Sequence, residues 1–395
     1  MLCCPSRFRG VRWFVLAAVL CCAVSAVVFS RKDVDDFSLG MAALHRGEFV
    51  EALESLQRLR RSHPGDDRTQ LLSGAIRLRR GDASAALKDF AGMQPEGEFR
   101  SPALQWTGEC LYVLGRLTEA ESCFQQLLQI HRDNTEAHRW LASIYHDLGE
   151  LNRSVEHLER LTQLAPGDHR PWRMMASIHK DFEQFLEAAR EYRAALQLPM
   201  PDSTRLEIVI ELADVLIRLD EYQEALEVLA TSAETATTLS QQGQCHRALG
   251  NRDLARQCLN RAKAVGANDV AVLRLNAGLA TDDKRPRDAA ELFEQILIQD
   301  PHNVECRYQL ALARRELGDT PRYESEMEKV ANSRSLLEQL TALSARAMKE
   351  PREAKVLTEI AQVCDQLGKH DLAKSWRLAA EAVKPPSTRD SRPPQ

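Results

Sequence analysis

Residues 101–134 read SPALQWTGECLYVLGRLTEAESCFQQLLQIHRDN, and the placing of Gly108, Gly115, Ala120 and Phe124 within them decides the fold. Each of the four belongs to a column that recurs every 34 residues. Gly108 follows Gly40 and Gly74 and precedes Ala142 and Ala176. Gly115 stands with Gly47, Gly81, Gly149 and Glu183, and Ala120 with Ala52, Ala86, Ser154 and Ala188. Phe124 stands with Leu56, Phe90, Leu158 and Tyr192. Four columns in step over five units mark an array of helix–turn–helix repeats.

Each column has a physical reading. The first small residue lies in helix A, where a neighbouring helix approaches closely. The second position is the A–B turn, where Gly adopts positive φ without a Cβ penalty. The third opens helix B and packs back on helix A. The fourth is a large apolar knob on helix B. Each hairpin exposes one apolar face, and stacking the next hairpin buries it.

On these residues the chain resembles the tetratricopeptide repeat family, with its Trp, Leu-Gly, Tyr, Gly, Ala, Phe, Ala and Pro signature. The third unit supplies Trp106, Gly108, Tyr112, Gly115, Ala120 and Phe124. The fourth supplies Ala142, Tyr145, Gly149, Leu158, Leu161 and Pro166, and the fifth Trp172, Ala176, Ala188, Tyr192 and Ala195. The resemblance implies an all-α, right-handed α-solenoid of about ten helical hairpins over Asp33–Pro385.

Beyond the fifth unit the register slips. The A-helix small residues continue as Ala213, Gly243, Ala277, Ala311 and Ala361. Pro199 and Pro201 mark a longer connection before Ala213, and the step to Gly243 is trimmed. Between Ala311 and Ala361, Leu336, Leu337, Leu340, Leu343 and Ala347 form an apolar stripe at helical spacing. The chain thus divides into a leader at 1–32, strict units at 33–202 and irregular units at 203–334. An extra helix at 335–351, a last unit at 352–385 and a disordered Pro-rich tail at 386–395 follow. No run alternates polar and apolar residues, so no sheet is expected.

In the leader, Trp13–Phe29 is an apolar run broken only by Ser25, with Arg7, Arg9 and Arg12 before it and Arg31 and Lys32 after it. Its length lies between a signal peptide and a spanning helix. It reads as one apolar helix ahead of the repeats, serving as a single-pass signal anchor, with cleavage after Ala26 as the alternative. The basic residues on its N-terminal side place the repeats outside the cytoplasm. Net charge is -5 with both signs interspersed, which gives no footprint for nucleic acid.

The chain carries no phosphate-binding Gly loop, nucleophile elbow or metal-ligand spacing, so no enzyme, metal or cofactor is expected. What remains is a surface. In the resembled family the A helices line a concave groove that takes extended segments. By register the fourth and fifth units present Glu136, Arg139, Ser143, His146, Arg170, Arg173, Ser177 and Lys180 there. Arginine suits bidentate carboxylate binding, so the candidate partner is an extended or acidic protein segment. The alternative reading is an ordinary solvated helix face. The chaperone-binding clamp of the family, which needs Lys, Asn, Asn, Lys and Arg, is not matched, because Arg139, Ser143 and Met174 stand at its positions here and its asparagines are missing. Trp140 lies two positions off the packing register and is a candidate anchor, whereas Trp172 fits the core. Cys110 and Cys123, and again Cys245 and Cys258, lie thirteen residues apart on paired helices. Both pairs are candidate disulfides, with packing as small apolar residues the alternative. The functional expectation is a membrane-tethered, non-catalytic scaffold. The competing class is an accessory subunit of an enzyme or a carbohydrate-handling system.

Overall fold

The structure, a computed structural model, describes residues 35–93 and 97–383. The expected leader helix, the cleavage alternative at Ala26 and the tail at 386–395 lie outside the described residues. Among the described residues there are twenty α-helices and no strand. They follow one another as hairpins: α1 (Asp36–Arg46) and α2 (Phe49–Ser62), α3 (Asp67–Arg79) and α4 (Ala83–Ala91), α5 (Arg100–Val113) and α6 (Leu117–Ile130). Next come α7 (Thr135–Asp147) and α8 (Leu151–Leu164), α9 (His169–Asp181) and α10 (Phe185–Leu196), α11 (Asp202–Arg218) and α12 (Tyr222–Ala230). The series continues with α13 (Ala236–Ala248) and α14 (Arg252–Gly266), α15 (Val270–Asp282) and α16 (Pro286–Gln299). It ends with α17 (Val304–Glu316) and α18 (Thr320–Lys349), then α19 (Ala354–Gln366) and α20 (His370–Ala382).

The four sequence columns acquire atoms. A Cβ built on Gly74 would lie 2.4 Å from the Phe90 ring, and one on Gly108 would lie 2.7 Å from Phe124. First-column glycine and fourth-column ring are therefore one contact, repeated a unit later. The third column, Ala52, Ala86, Ala120, Ser154 and Ala188, is wholly buried. Ser154 keeps its place there because its hydroxyl donates to the Ala142 carbonyl at 2.8 Å, which satisfies a polar atom out of water. The turn column is left-handed throughout. Gly115 has φ 75° and Glu183, its counterpart in the fifth unit, has φ 58°. The same conformation recurs at Asp220 and Lys284. Short polar caps start many helices: Asn134 accepts from the Ala137 amide, and Asp168 from that of Arg170.

Where the period lengthens, the helices absorb it. The segment before Ala213 becomes a short connection and a 17-residue α11, and the trimmed unit has a nine-residue α12. Residues 335–349, expected as a separate helix, instead continue the 30-residue α18 without a break. No Gly or Pro interrupts the stretch from Arg322 to Glu350, so nothing in the backbone chemistry ends the helix before Pro351.

The described residues fall into two compact units. One holds 35–160 with 351–354 and 377–383; the other holds 161–350 and 355–376. In the first, α1, α3, α5 and α7 pack in succession as an inner layer, and α2, α4 and α6 each pack on their own A helix and on the next. Its core runs from Ala43 to Leu148, with Ala382 and Val383 packed against the part around Phe124 and Tyr145. In the second, α11, α13 and α15 form the corresponding layer, over cores built on Tyr192, Leu212 and Phe293. No helix among the described residues is long and apolar enough to cross a membrane.

Candidate functional site

The inner-layer side chains were the expected groove, and the structure divides them between the two units. In the first unit α7 carries Arg139, Trp140 and His146. Trp140 is not a surface anchor. It is 8% exposed, stacks on Phe124 at 5.7 Å and meets Tyr112 edge-on at 5.0 Å. Its two-position offset from the register turns it onto α5 and α6 instead of away from them. Arg139 is paired with Glu136 one turn earlier, and the His146 ring sits 3.5 Å from the Asp147 carboxylate.

In the second unit α9 carries Arg170, Arg173 and Lys180. Arg170 forks onto Asp168, with Nε and Nη2 each 2.7 Å from a carboxylate oxygen. The same Asp168 caps the helix. Arg173 reaches across to α11 and pairs with Glu207 at 2.8 Å and Glu211 at 3.2 Å. Lys180 is half-buried and makes no ion pair among the described residues. Most of the positive charge expected to receive an acidic segment is thus already matched by carboxylates of this chain.

These pairs belong to a pattern that columns of apolar residues do not reveal. Tyr112 on α5 donates to Asp147 on α7 at 2.6 Å. At the same register, Arg247 on α13 forks onto Asp282 on α15 at 2.7 and 3.1 Å. A Cβ on Gly278 would meet that guanidinium at 2.9 Å, so the glycine lets the arginine lie flat. Neighbouring A helices are therefore tied by polar contacts spaced about one period apart. A signal existed in the sequence, namely opposite or hydrogen-bonding residue types 34 or 35 positions apart.

Sequence reasoning missed the strongest polar cluster altogether. Glu121 on α6 and Glu150 at the start of α8 are both buried. Tyr145 donates to Glu121 at 2.9 Å, and Gln125 donates to the same oxygen at 2.8 Å. Arg153 reaches Glu150 at 2.9 Å and Glu121 at 3.3 Å, lies over the Tyr145 ring at 3.8 Å and also donates to its hydroxyl. Arg352 arrives from the 351–354 segment and binds both carboxylates, at 2.7 and 2.9 Å. Two anions and two guanidinium groups balance, as buried charges require. Burial pushes the Tyr145 hydroxyl up to about 12. Beside this cluster His138 and His157 hydrogen-bond through their Nδ1 atoms at 2.8 Å. Burial, helped by His138 and Arg153, brings His157 down to about 4.

Glu109, next to Gly108, is a further buried carboxyl, 4% exposed. Burial pushes it up to about 7, against the Arg79 guanidinium at 3.6 Å and the Gln105 amide at 3.3 Å. The cysteines expected as possible disulfides are free thiols: Cys110, Cys245 and Cys258 are buried and Cys123 half-buried. They fill small gaps; the Cys258 Cβ would lie 3.2 Å from a Cβ on Gly243. Burial pushes Cys110 and Cys245 up to about 12, which keeps them protonated and unreactive. Among the described residues no three His, Cys, Asp or Glu side chains converge as a metal site.

Two family descriptions, both of the tetratricopeptide repeat, match residues 37–100 and 111–178. Those two segments are tetratricopeptide repeats. No curated protein matches the chain. Among solved structures, the chain is similar to a tetratricopeptide repeat protein from Parabacteroides merdae ATCC 43184. That match has 17% identity over 61% of this chain and 95% of that one, at a TM-score of 0.38. MamA from Desulfovibrio magneticus RS-1 matches at 19% identity over 42% of this chain and 92% of that one, at a TM-score of 0.37. A human IFIT1 dimer with m7Gppp-AAAA matches at 15% identity over 89% and 90%, at a TM-score of 0.38. Overlaps of this size carry no argument about ligand or partner.

Proposed function

We propose that this chain is a membrane-tethered, non-catalytic scaffold that holds an extended protein segment along its A-helix layers. The repeats themselves carry the proposal. A stack of hairpins whose face charges are tied to one another offers a preformed surface to a partner segment. The tether rests on the apolar run Trp13–Phe29 and its basic flank, with the repeats on the non-cytoplasmic side. The pairing of Arg170 with Asp168 and of Arg173 with Glu207 and Glu211 favours a segment of mixed charge over an acidic one. An acidic segment would have to displace carboxylates already in place, at the cost of their pairing.

Crosslinking and affinity capture from membranes test this reading. The expected result is a protein partner whose recovery falls in the Lys180→Glu variant, with the chain retained in the membrane fraction after carbonate washing. Capture of a small molecule or glycan with no protein would overturn the scaffold, and a mature N-terminus at Val27 would overturn the tether.

A further inference from the structure

The first unit has an open cavity of about 400 Å³ between α6 and α8, floored by Leu141 and Tyr145 of α7. It opens between two B helices and is lined by none of the groove residues Glu136, Arg139, Ser143 and His146, so it is separate from the protein-binding reading above. Its volume is in the range of small-molecule sites.

The hydrogen bonds around it fix which polar atoms remain for a ligand. The Arg132 carbonyl lies 3.0 Å from His138 Nε2. A carbonyl only accepts, so His138 carries its proton on Nε2 and its Nδ1 is an acceptor. His157 Nδ1, 2.8 Å away, is then the donor, which leaves His157 Nε2 as a bare acceptor. The neutrality of His157, held by burial, keeps it so. Gln125 spends its amide nitrogen on Glu121 and Tyr145, leaving its oxygen as a second acceptor. Arg153 is committed to Glu121 and Glu150. Arg132, at the exposed rim, makes no ion pair among the described residues, because its neighbour Asp133 is taken by Arg160 at 2.6 Å. Leu128 and Leu141 supply the apolar wall.

We propose that this cavity binds a small hydroxy acid: a monoanionic carboxylate at Arg132, a short apolar body against Leu128 and Leu141, and a hydroxyl that donates to His157 Nε2. A single guanidinium matches one negative charge. A hydroxyl fits better than an ammonium group, since both nearby carboxylates are already neutralised by Arg153 and Arg352.

The probe is 4-hydroxyphenylacetate, titrated into the full chain and followed by calorimetry and by imidazole nitrogen NMR. Saturable binding is expected, with a shift confined to the His157 and His138 ring nitrogens. Phenylacetate, which lacks the donor, and 4-hydroxybenzyl alcohol, which lacks the anion, should each bind about tenfold more weakly. Arg132→Gln should cost a similar factor and leave helicity unchanged, because the side chain is exposed. Leu128→Trp fills the cavity without touching its polar atoms and should abolish binding. Absence of saturable binding, equal binding of the three probes, or binding that survives Leu128→Trp would each overturn the proposal. Recovery of a protein partner is expected to be unaffected by Arg132→Gln, so the two readings fail separately.

Discussion

Arg352 Nη2 lies 2.7 Å from Glu121 Oε2, although the two residues are 231 apart in sequence. The same guanidinium sits 2.9 Å from Glu150. Without it, two buried carboxylates would share Arg153 alone. Breaking such a cluster costs more than the lost contact itself, because the remaining charge stays buried.

Arg352→Met should therefore lower the unfolding free energy by about 2–3 kcal/mol, below the roughly 3–5 kcal/mol for a fully buried partner, since Arg352 itself is half-exposed and Arg153 remains. Urea melts measure this. Adding Glu121→Gln and Glu150→Gln should restore much of the loss. A variant that melts like the wild type would show that the carboxylates find water instead.

The turn column makes a prediction of opposite sign. Glu183, Asp220 and Lys284 hold φ near 60° where other units have glycine, a conformation that costs a residue with a Cβ about 1–2 kcal/mol. Glu183→Gly and Lys284→Gly should each stabilise by about 0.5–1 kcal/mol after the unfolded-state entropy of glycine is subtracted. Gly115→Ala should destabilise by a similar amount. Thermal melts of the single variants decide it, and a destabilised Lys284→Gly would refute the argument.

The apolar columns were legible in the sequence because stacking repeats the same contact. The Gly108–Phe124 approach recurs as Gly74–Phe90, so a period can carry it. Trp140 was misread because position along a repeat does not say which neighbour a bulky side chain meets. Its real partners, Tyr112 and Phe124, belong to the preceding hairpin. The Glu121–Glu150–Arg352 cluster had no periodic signal. It joins the 351–354 segment to two units far upstream, and each residue alone reads as a solvated charge.

Glu109 sets a pH dependence. Its carboxyl is raised from an ordinary value near 4.5 to about 7, chiefly by burial. Between those values the native state holds a proton that the unfolded chain has lost, so this residue makes stability fall as pH rises through that window and level off above it. The cost above the window is about 3 kcal/mol. Glu109→Gln keeps the neutral shape. It should gain stability over the wild type at pH 8, and the gain should vanish below about pH 4.5. Paired urea melts across pH 4–8 test the difference. A gain that does not change with pH would mean that the carboxyl does not titrate in this window.

Trp140 separates packing from recognition. It fills the space between Tyr112 and Phe124 with little exposure. Trp140→Ala should cost about 3–5 kcal/mol, the usual loss for a large aromatic side chain in a core. Trp140→Phe retains an aromatic face for Phe124 to stack on and should cost about 1–2 kcal/mol. Because the side chain is enclosed, partner recovery should follow the folded fraction in both variants and no further. Thermal melts and capture on the same preparations supply both quantities. A Trp140→Phe protein that melts within a degree or so of the wild type yet loses its partner would return the residue to the binding face.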